Sequence, residues 1–138
     1  MSVPKSTMLA AMLFGLPLAS SEAMAALELT GAWAASADQC GNVFTRRGRA
    51  NQVVFTERSE RYGSGFIIEA SRIRGKFTTC MIKARKDDGQ TLNLIAGCAT
   101  DIILSNVQFS LKVLDENNIV RQFPGMDGLE VRYFRCPI

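Results

Sequence analysis

Four cysteines, Cys40, Cys80, Cys98 and Cys136, stand in a chain of 138 residues that contains no histidine. The commonest general base and the commonest metal ligand are therefore both missing. A cysteine thiolate is a nucleophile only when a neighbouring group activates it, and no such partner is evident beside these four. An even number of cysteines in a short exported chain reads instead as a disulfide framework. A four-cysteine zinc site is the lesser alternative, because no Cys-x-x-Cys pair of the usual structural-zinc spacing occurs. Most of the carboxylates, Asp87, Asp88, Asp101, Asp115, Glu116 and Asp127 among them, fall at turns, where acidic side chains are favoured for backbone reasons. Asp115-Glu116-Asn117-Asn118 lacks the spacing and the terminal glutamate of a calcium-binding EF-hand loop. The expectation is a non-enzyme with no catalytic residue, no metal and no cofactor.

Charge is the second chemical feature. The whole chain carries a formal +3, yet residues 46–86 hold eleven basic and three acidic side chains. Such asymmetry suggests a basic surface meeting an anionic partner. The candidate residues are Arg46, Arg47, Arg49, Arg72, Arg74, Lys76, Lys83 and Arg85. The competing reading is that they solvate the outer faces of strands. Aromatic residues are not interleaved with them for base stacking, so nucleic acid is not an expected partner. An unknown protein or an anionic envelope component is.

The elements that position these residues centre on 78–98. Two alternating runs flank Asp87-Asp88-Gly89, a strong β-hairpin signal. With Asp87 opposite Thr91, Ala84 faces Leu94, Ile82 faces Ala96 and Cys80 faces Cys98, all on one side, because side chains alternate along a strand. Lys83 and Arg85 then point away from the core. A three-residue loop ending at Gly89 would slide the register by two and set Cys98 opposite Thr78, with the same face inward. Directly opposed positions lie within disulfide reach. Of three possible connectivities, Cys80–Cys98 with Cys40–Cys136 is favoured, the second clipping the last strand to the region after the first.

Residues 1–25 read as a signal peptide: Lys5, the apolar run Met8 to Ala19, then Ala23-Met24-Ala25 as a small-residue cleavage site. The run is too short to span a bilayer. The mature protein is expected to be a single domain, 26–138, periplasmic or secreted and without a transmembrane segment. Along it, Arg46 to Arg49 reads as a basic connection and Val53 to Phe55 as a short strand. Phe66, Ile68 and Ala70 alternate, and Ile73-Arg74-Gly75 fits a three-residue hairpin loop that sets Ile68 opposite Cys80 and Phe66 opposite Ile82. Ile102-Ile103-Leu104 forms the apolar centre of a crossing segment. Val107 to Val113 alternates cleanly, and the last strand is ambiguous, with Leu129, Val131 and Tyr133 competing against Phe134 and Cys136 for the inward face. No stretch has helical periodicity. About eight short strands joined by tight turns indicate an all-β protein, a small antiparallel up-and-down β-barrel stapled by disulfides, with a β-sandwich as the alternative.

Leu29-Thr30-Gly31-Ala32-Trp33 resembles the Gly-x-Trp start of the calycin superfamily, whose small barrels include lipocalins and bacterial metalloprotease inhibitors. The resemblance implies that Gly31 and Trp33 are structural, that Trp33 plugs the closed end, and that an arginine of the last strand, Arg132 or Arg135, covers it. It also implies ligand binding or protease inhibition rather than catalysis. Tyr62-Gly63-Ser64-Gly65-Phe66 is similar to the Ser-Gly loop of periplasmic lysozyme inhibitors, although their other loop motif is missing and a flexible hairpin connection is the favoured explanation of these glycines.

The functional expectation is an exported binding protein, inhibitor-like or a protein-binding module of the envelope, with a basic face. The alternatives are a lipocalin-like carrier of a small apolar ligand and an envelope structural protein without a ligand. A carrier needs an open interior. The inferred inward set, Phe66, Ile68, Ile82, Leu92, Leu94, Phe109 and Leu111, is bulky and favours a filled one.

Overall fold

The structure, a computed structural model, describes residues 28–138 together with Ser2 and Gly15. The rest of the expected signal segment lies outside the described residues, as do Ala26 and Leu27. Eight antiparallel strands close a barrel: β1 (Gly31–Ala34), β4 (Gly65–Ile68), β5 (Arg72–Arg74), β6 (Thr79–Asp88), β7 (Thr91–Ala99), β8 (Leu104–Asp115), β9 (Asn118–Gln122) and β10 (Glu130–Arg135). Consecutive strands pair from β4 through to β10, and β1 closes the ring between β10 and β4. Two further strands, β2 (Phe44–Arg47) and β3 (Gln52–Phe55), form a separate hairpin outside the barrel, preceded by the one-turn helix α1 (Cys40–Val43). Among the described residues no helix is long and apolar enough to cross a membrane.

Period-two alternation decides the interior. On β7, Leu92, Leu94, Ala96 and Cys98 are buried while the residues between them are partly or fully exposed. They meet Trp33, Phe66, Ile68, Ile73, Phe109, Leu111, Ile119 and Tyr133 in one core, with the Phe66 and Tyr133 rings edge to face at 4.6 Å between centroids. The expected inward set lies in this core, Ile82 at its margin. An eight-stranded barrel is just wide enough for its own side chains to fill.

A second core lies outside the wall. Ala32, Ala34 and Ile67 on the outer face of β1 and β4 pack against Val43, Phe44, Cys40 and Cys136, with Val53 and Phe55 at the edge. This second core explains the ambiguous last strand. Tyr133 points into the barrel while Cys136 belongs to the outer cluster, so both sets are apolar because both faces near β10 are covered.

Both disulfides are formed, Cys40–Cys136 and Cys80–Cys98. The first ties the hairpin unit to the end of the chain. The second crosses β6 and β7 at directly paired positions.

Three expectations are corrected. Ile73 does not sit in a hairpin loop; it is buried on β5, a full barrel strand, so Ile68 faces Ile73 and Ile73 faces Cys80. Gly75 has no positive φ, and the turn it opens is closed by its N–H donating to the Thr78 carbonyl at 2.8 Å. Arg46 and Arg47 lie on strand β2 rather than in a connection, and Val53 to Phe55 pairs with that strand outside the barrel. The β6–β7 register holds from Cys80 to Ile82, then slips by one at a bulge around Lys83. The extra residue turns Ala84 outward, opposite Ile95, and puts Arg85 on the inward register opposite Leu94. Arg85 therefore does not project from the outer wall. It sits at the barrel rim, paired with Asp87 at 3.0 Å.

Candidate functional site

The hairpin and the barrel wall leave a groove of about 470 Å³ between them. Arg46 and Val53 line it from the hairpin, Ile67 and Arg74 from β4 and β5, and Arg135 and Cys136 from the chain end. Its floor is apolar because the second core surfaces there. Its rim is cationic, with Glu69 as the acidic side chain among the lining residues.

Each arginine is held by backbone oxygens. Arg46 donates through Nη1 to the Asn51 carbonyl at 2.7 Å, bracing the β2–β3 turn. Arg74 donates through Nη2 to the Val53 carbonyl at 2.8 Å, and through Nε to Glu69 at 2.8 Å. Arg72 is paired with the other Glu69 oxygen. Burial pushes the Glu69 carboxyl up, but the hydrogen bonds and charges of Arg72 and Arg74 outweigh this and hold it below the ordinary glutamate value. Lys76 donates to the Thr56 carbonyl and, at 3.1 Å, to that of Glu57. Arg74 and Lys76 therefore strap the hairpin to the barrel.

Arg135 stacks on Trp33, its guanidinium carbon 4.4 Å from the ring centroid. It donates to three carbonyls: Glu116 at 2.9 Å, Thr30 at 2.7 Å and Glu28 at 2.8 Å. The fully buried Trp33 donates through Nε1 to the Leu29 carbonyl at 2.9 Å. Arg132 does not share this position. Its neighbours Val131 and Tyr133 take the inward register, which leaves Arg132 exposed on the outer wall.

The predicted basic residues are thus only partly gathered. Of them Arg46 and Arg74 converge on the groove, where Arg135, expected only as the cover of Trp33, joins them. Arg47 and Arg49 are exposed on the hairpin and its turn. Lys83 lies on the far wall, over β7, four strands from β1 around the barrel. Arg85 is at the rim.

Sequence reading missed Arg121. On β9 it faces Leu111 and Val131, which puts it on the inward register, with its guanidinium 4.4 Å from the Phe109 ring and 4.6 Å from that of Phe123. Its Nε is buried and has no hydrogen-bond partner among the described residues. Burial draws its pKa down, against the opposing pull of the Tyr133 hydroxyl. The available signal was parity: Arg121 is two residues from the buried Ile119. Tyr62 to Phe66 has a packing role. A Cβ on Gly65 would lie 2.7 Å from the Trp33 carbonyl and 3.0 Å from the Phe44 ring, so only glycine lets β4 approach β1 under that ring.

Among the described residues no three His, Cys, Asp or Glu side chains converge to hold a metal ion. Comparisons with protein-family models, curated proteins and solved structures find no match.

Proposed function

We propose that this chain is an exported binding module, periplasmic or secreted, that engages an acidic protein partner in the manner of an inhibitor through the arginine-rimmed groove and the β2–β3 hairpin. The observation that carries this reading is a contrast between inside and outside. The barrel's inward side chains pack into one core and leave a cavity of about 250 Å³ beside Leu29, Ile82 and Leu94, whereas Arg46, Arg74 and Arg135 border a larger, apolar-floored groove of about 470 Å³ on the exterior. A groove with an apolar floor and a cationic rim suits a partner segment whose apolar side chain is flanked by carboxylates. Export is supported by the two disulfides and by the signal-like composition of residues 1–25. The calycin resemblance supports a binding role, since a closed antiparallel barrel of eight strands is the architecture it implies.

The test is capture from envelope extract across a salt series, comparing the wild type with an Arg46→Gln/Arg47→Gln/Arg49→Gln variant. These side chains are exposed, so the barrel should keep its fold. A specifically captured acidic protein, released by salt and lost in the variant, is the expected result. Capture that ignores both changes, or a small apolar ligand co-purifying inside the barrel in native mass spectrometry, would overturn the reading.

A further inference from the structure

At one end of the barrel, two neighbouring turns and the strand start beside them carry the three most exposed large apolar side chains among the described residues, Ile102, Leu104 and Phe77. The β5–β6 turn presents Phe77, 74% exposed, and the β7–β8 turn presents Ile102 and Ile103, 90% and 58% exposed, followed by Leu104 at 85%. The turns are adjacent because Thr79 pairs with Ala99 and Ala99 with Leu104. The apolar strip continues down the wall. Met81 and Leu104 flank Gly97 along a shallow groove of about 550 Å³. A Cβ on Gly97 would stand 2.8 Å from Lys83 Cε, so the bulged Lys83 lays its stem across the glycine and ends 3.3 Å from Asn106 Oδ1. Contiguous exposed apolar surface of this kind marks an interaction site.

We infer that this rim seats on an anionic lipid bilayer surface, with Phe77, Ile102 and Ile103 entering the headgroup–acyl boundary and Lys83 facing the headgroups. Two features select a bilayer over a protein groove. The apolar side chains project from turn tips, a convex shape that a fluid interface accommodates. Each turn is closed by a backbone hydrogen bond across its base. Gly75 N–H donates to Thr78 O at 2.8 Å, and Thr100 N–H to Ile103 O at 2.9 Å. The Thr100 hydroxyl accepts from the N–H groups of Ile102 and Ile103 at 3.4 and 3.1 Å. A segment entering a water-poor layer needs its polar backbone satisfied internally, and these bonds meet part of that demand before contact. Lys83, exposed beside the apolar strip, supplies a cation that complements an anionic leaflet.

The test is sedimentation of the 26–138 protein with vesicles of phosphatidylglycerol and phosphatidylethanolamine, against pure phosphatidylcholine vesicles. Binding to the anionic vesicles is expected, falling at least tenfold in Ile102→Ser/Ile103→Ser and severalfold in Lys83→Gln. Trp33 is the only tryptophan and is fully buried, so a Phe77→Trp variant supplies an isolated reporter, which brominated lipids should quench. Its blue-shifted, quenchable emission on anionic vesicles separates insertion from loss of fold, and near-UV circular dichroism checks the serine variants. Absence of wild-type sedimentation, retention of binding by Ile102→Ser/Ile103→Ser, or unquenched reporter emission from the Phe77→Trp variant would overturn the proposal. So would a dimer, seen by analytical ultracentrifugation, that the serine changes dissolve, since the rim would then cover a second copy.

Discussion

A Cβ at position 31 would stand 3.1 Å from Nη1 of Arg135, so Gly31 and the last-strand arginine are two halves of one arrangement. Gly31 has φ +142°, a conformation that side-chain-bearing residues rarely adopt. Its missing side chain admits the guanidinium that bonds Thr30 and covers Trp33. The Gly-x-Trp spacing is thereby tied to an arginine more than a hundred residues away in sequence.

Gly31→Ala should destabilise the fold by about 1–3 kcal/mol through backbone strain, and Arg135→Leu by about 1–2 kcal/mol through loss of its hydrogen bonds and of the stack on Trp33. Urea denaturation measures both. Acrylamide should barely quench Trp33 in the folded wild type and should quench it more readily in Arg135→Leu. Equal quenching in the two proteins would remove the covering role of Arg135.

The two disulfides should differ in weight. Cys40 and Cys136 are 96 residues apart, Cys80 and Cys98 only 18. Restriction of the unfolded chain grows with the loop closed, so removing the first pair as alanines should cost about 4–5 kcal/mol and the second about 3 kcal/mol. Non-reducing peptide mapping should give a Cys40–Cys136 and a Cys80–Cys98 peptide. Larger destabilisation by the Cys80→Ala/Cys98→Ala variant would contradict the ranking.

Glu69 gives stability a pH dependence of definite sign. Its folded pKa lies below the ordinary value of 4.5 because Arg72 and Arg74 outweigh its burial. The contribution is therefore fully present above that ordinary value and is lost as pH falls through the folded one. Glu69→Gln should be less stable than wild type by up to about 1 kcal/mol near neutral pH. The gap should close as the solution is taken well below pH 4.5. A gap independent of pH would assign the loss to packing rather than to the carboxylate charge.

How far the fold was legible depended on what covered each strand. The Cys80–Cys98 end of the hairpin could be read because one face is core and the other solvent, so alternation points one way. Nothing in Lys83-Ala84-Arg85 announces the bulge, since either register sets mixed residues on both faces. β5 went unseen because Arg72 and Arg74 flank a single buried Ile73, too short a run for a period. The outer hairpin reversed the usual logic near β10, burying Cys136 on the outside and Tyr133 on the inside. The basic run was legible as composition, but whether its members converge is a property of closure. Closure brings Arg135 to Arg46 and Arg74, and the bulge removes Arg85 from the outer wall.

The hairpin that carries Arg46, Arg47 and Arg49 should open before the barrel does. Among the described residues its strands pair only with each other, and it is fastened by the Cys40–Cys136 bridge, by Phe44 in the outer core with Ala32, Ala34 and Ile67, and by Arg74 and Lys76 reaching the carbonyls of Val53, Thr56 and Glu57. Strands β6, β7 and β8, in contrast, are 9 to 12 residues long and paired on both sides. Local opening takes the units with the fewest buried contacts first. Hydrogen exchange followed by mass spectrometry should show residues 44–55 exchanging faster than β7 and β8. Arg74→Met with Lys76→Met keeps much of the apolar stem of each side chain but removes the straps. Exchange across 44–55 should then rise at least tenfold while β7 and β8 remain protected. Under the proposed function, the same variant should also weaken partner capture, because the arginine rim is positioned only while the hairpin stays down. If exchange rises uniformly through the barrel, the hairpin is not a separate unit, and the groove would have to be treated as part of a single cooperative fold.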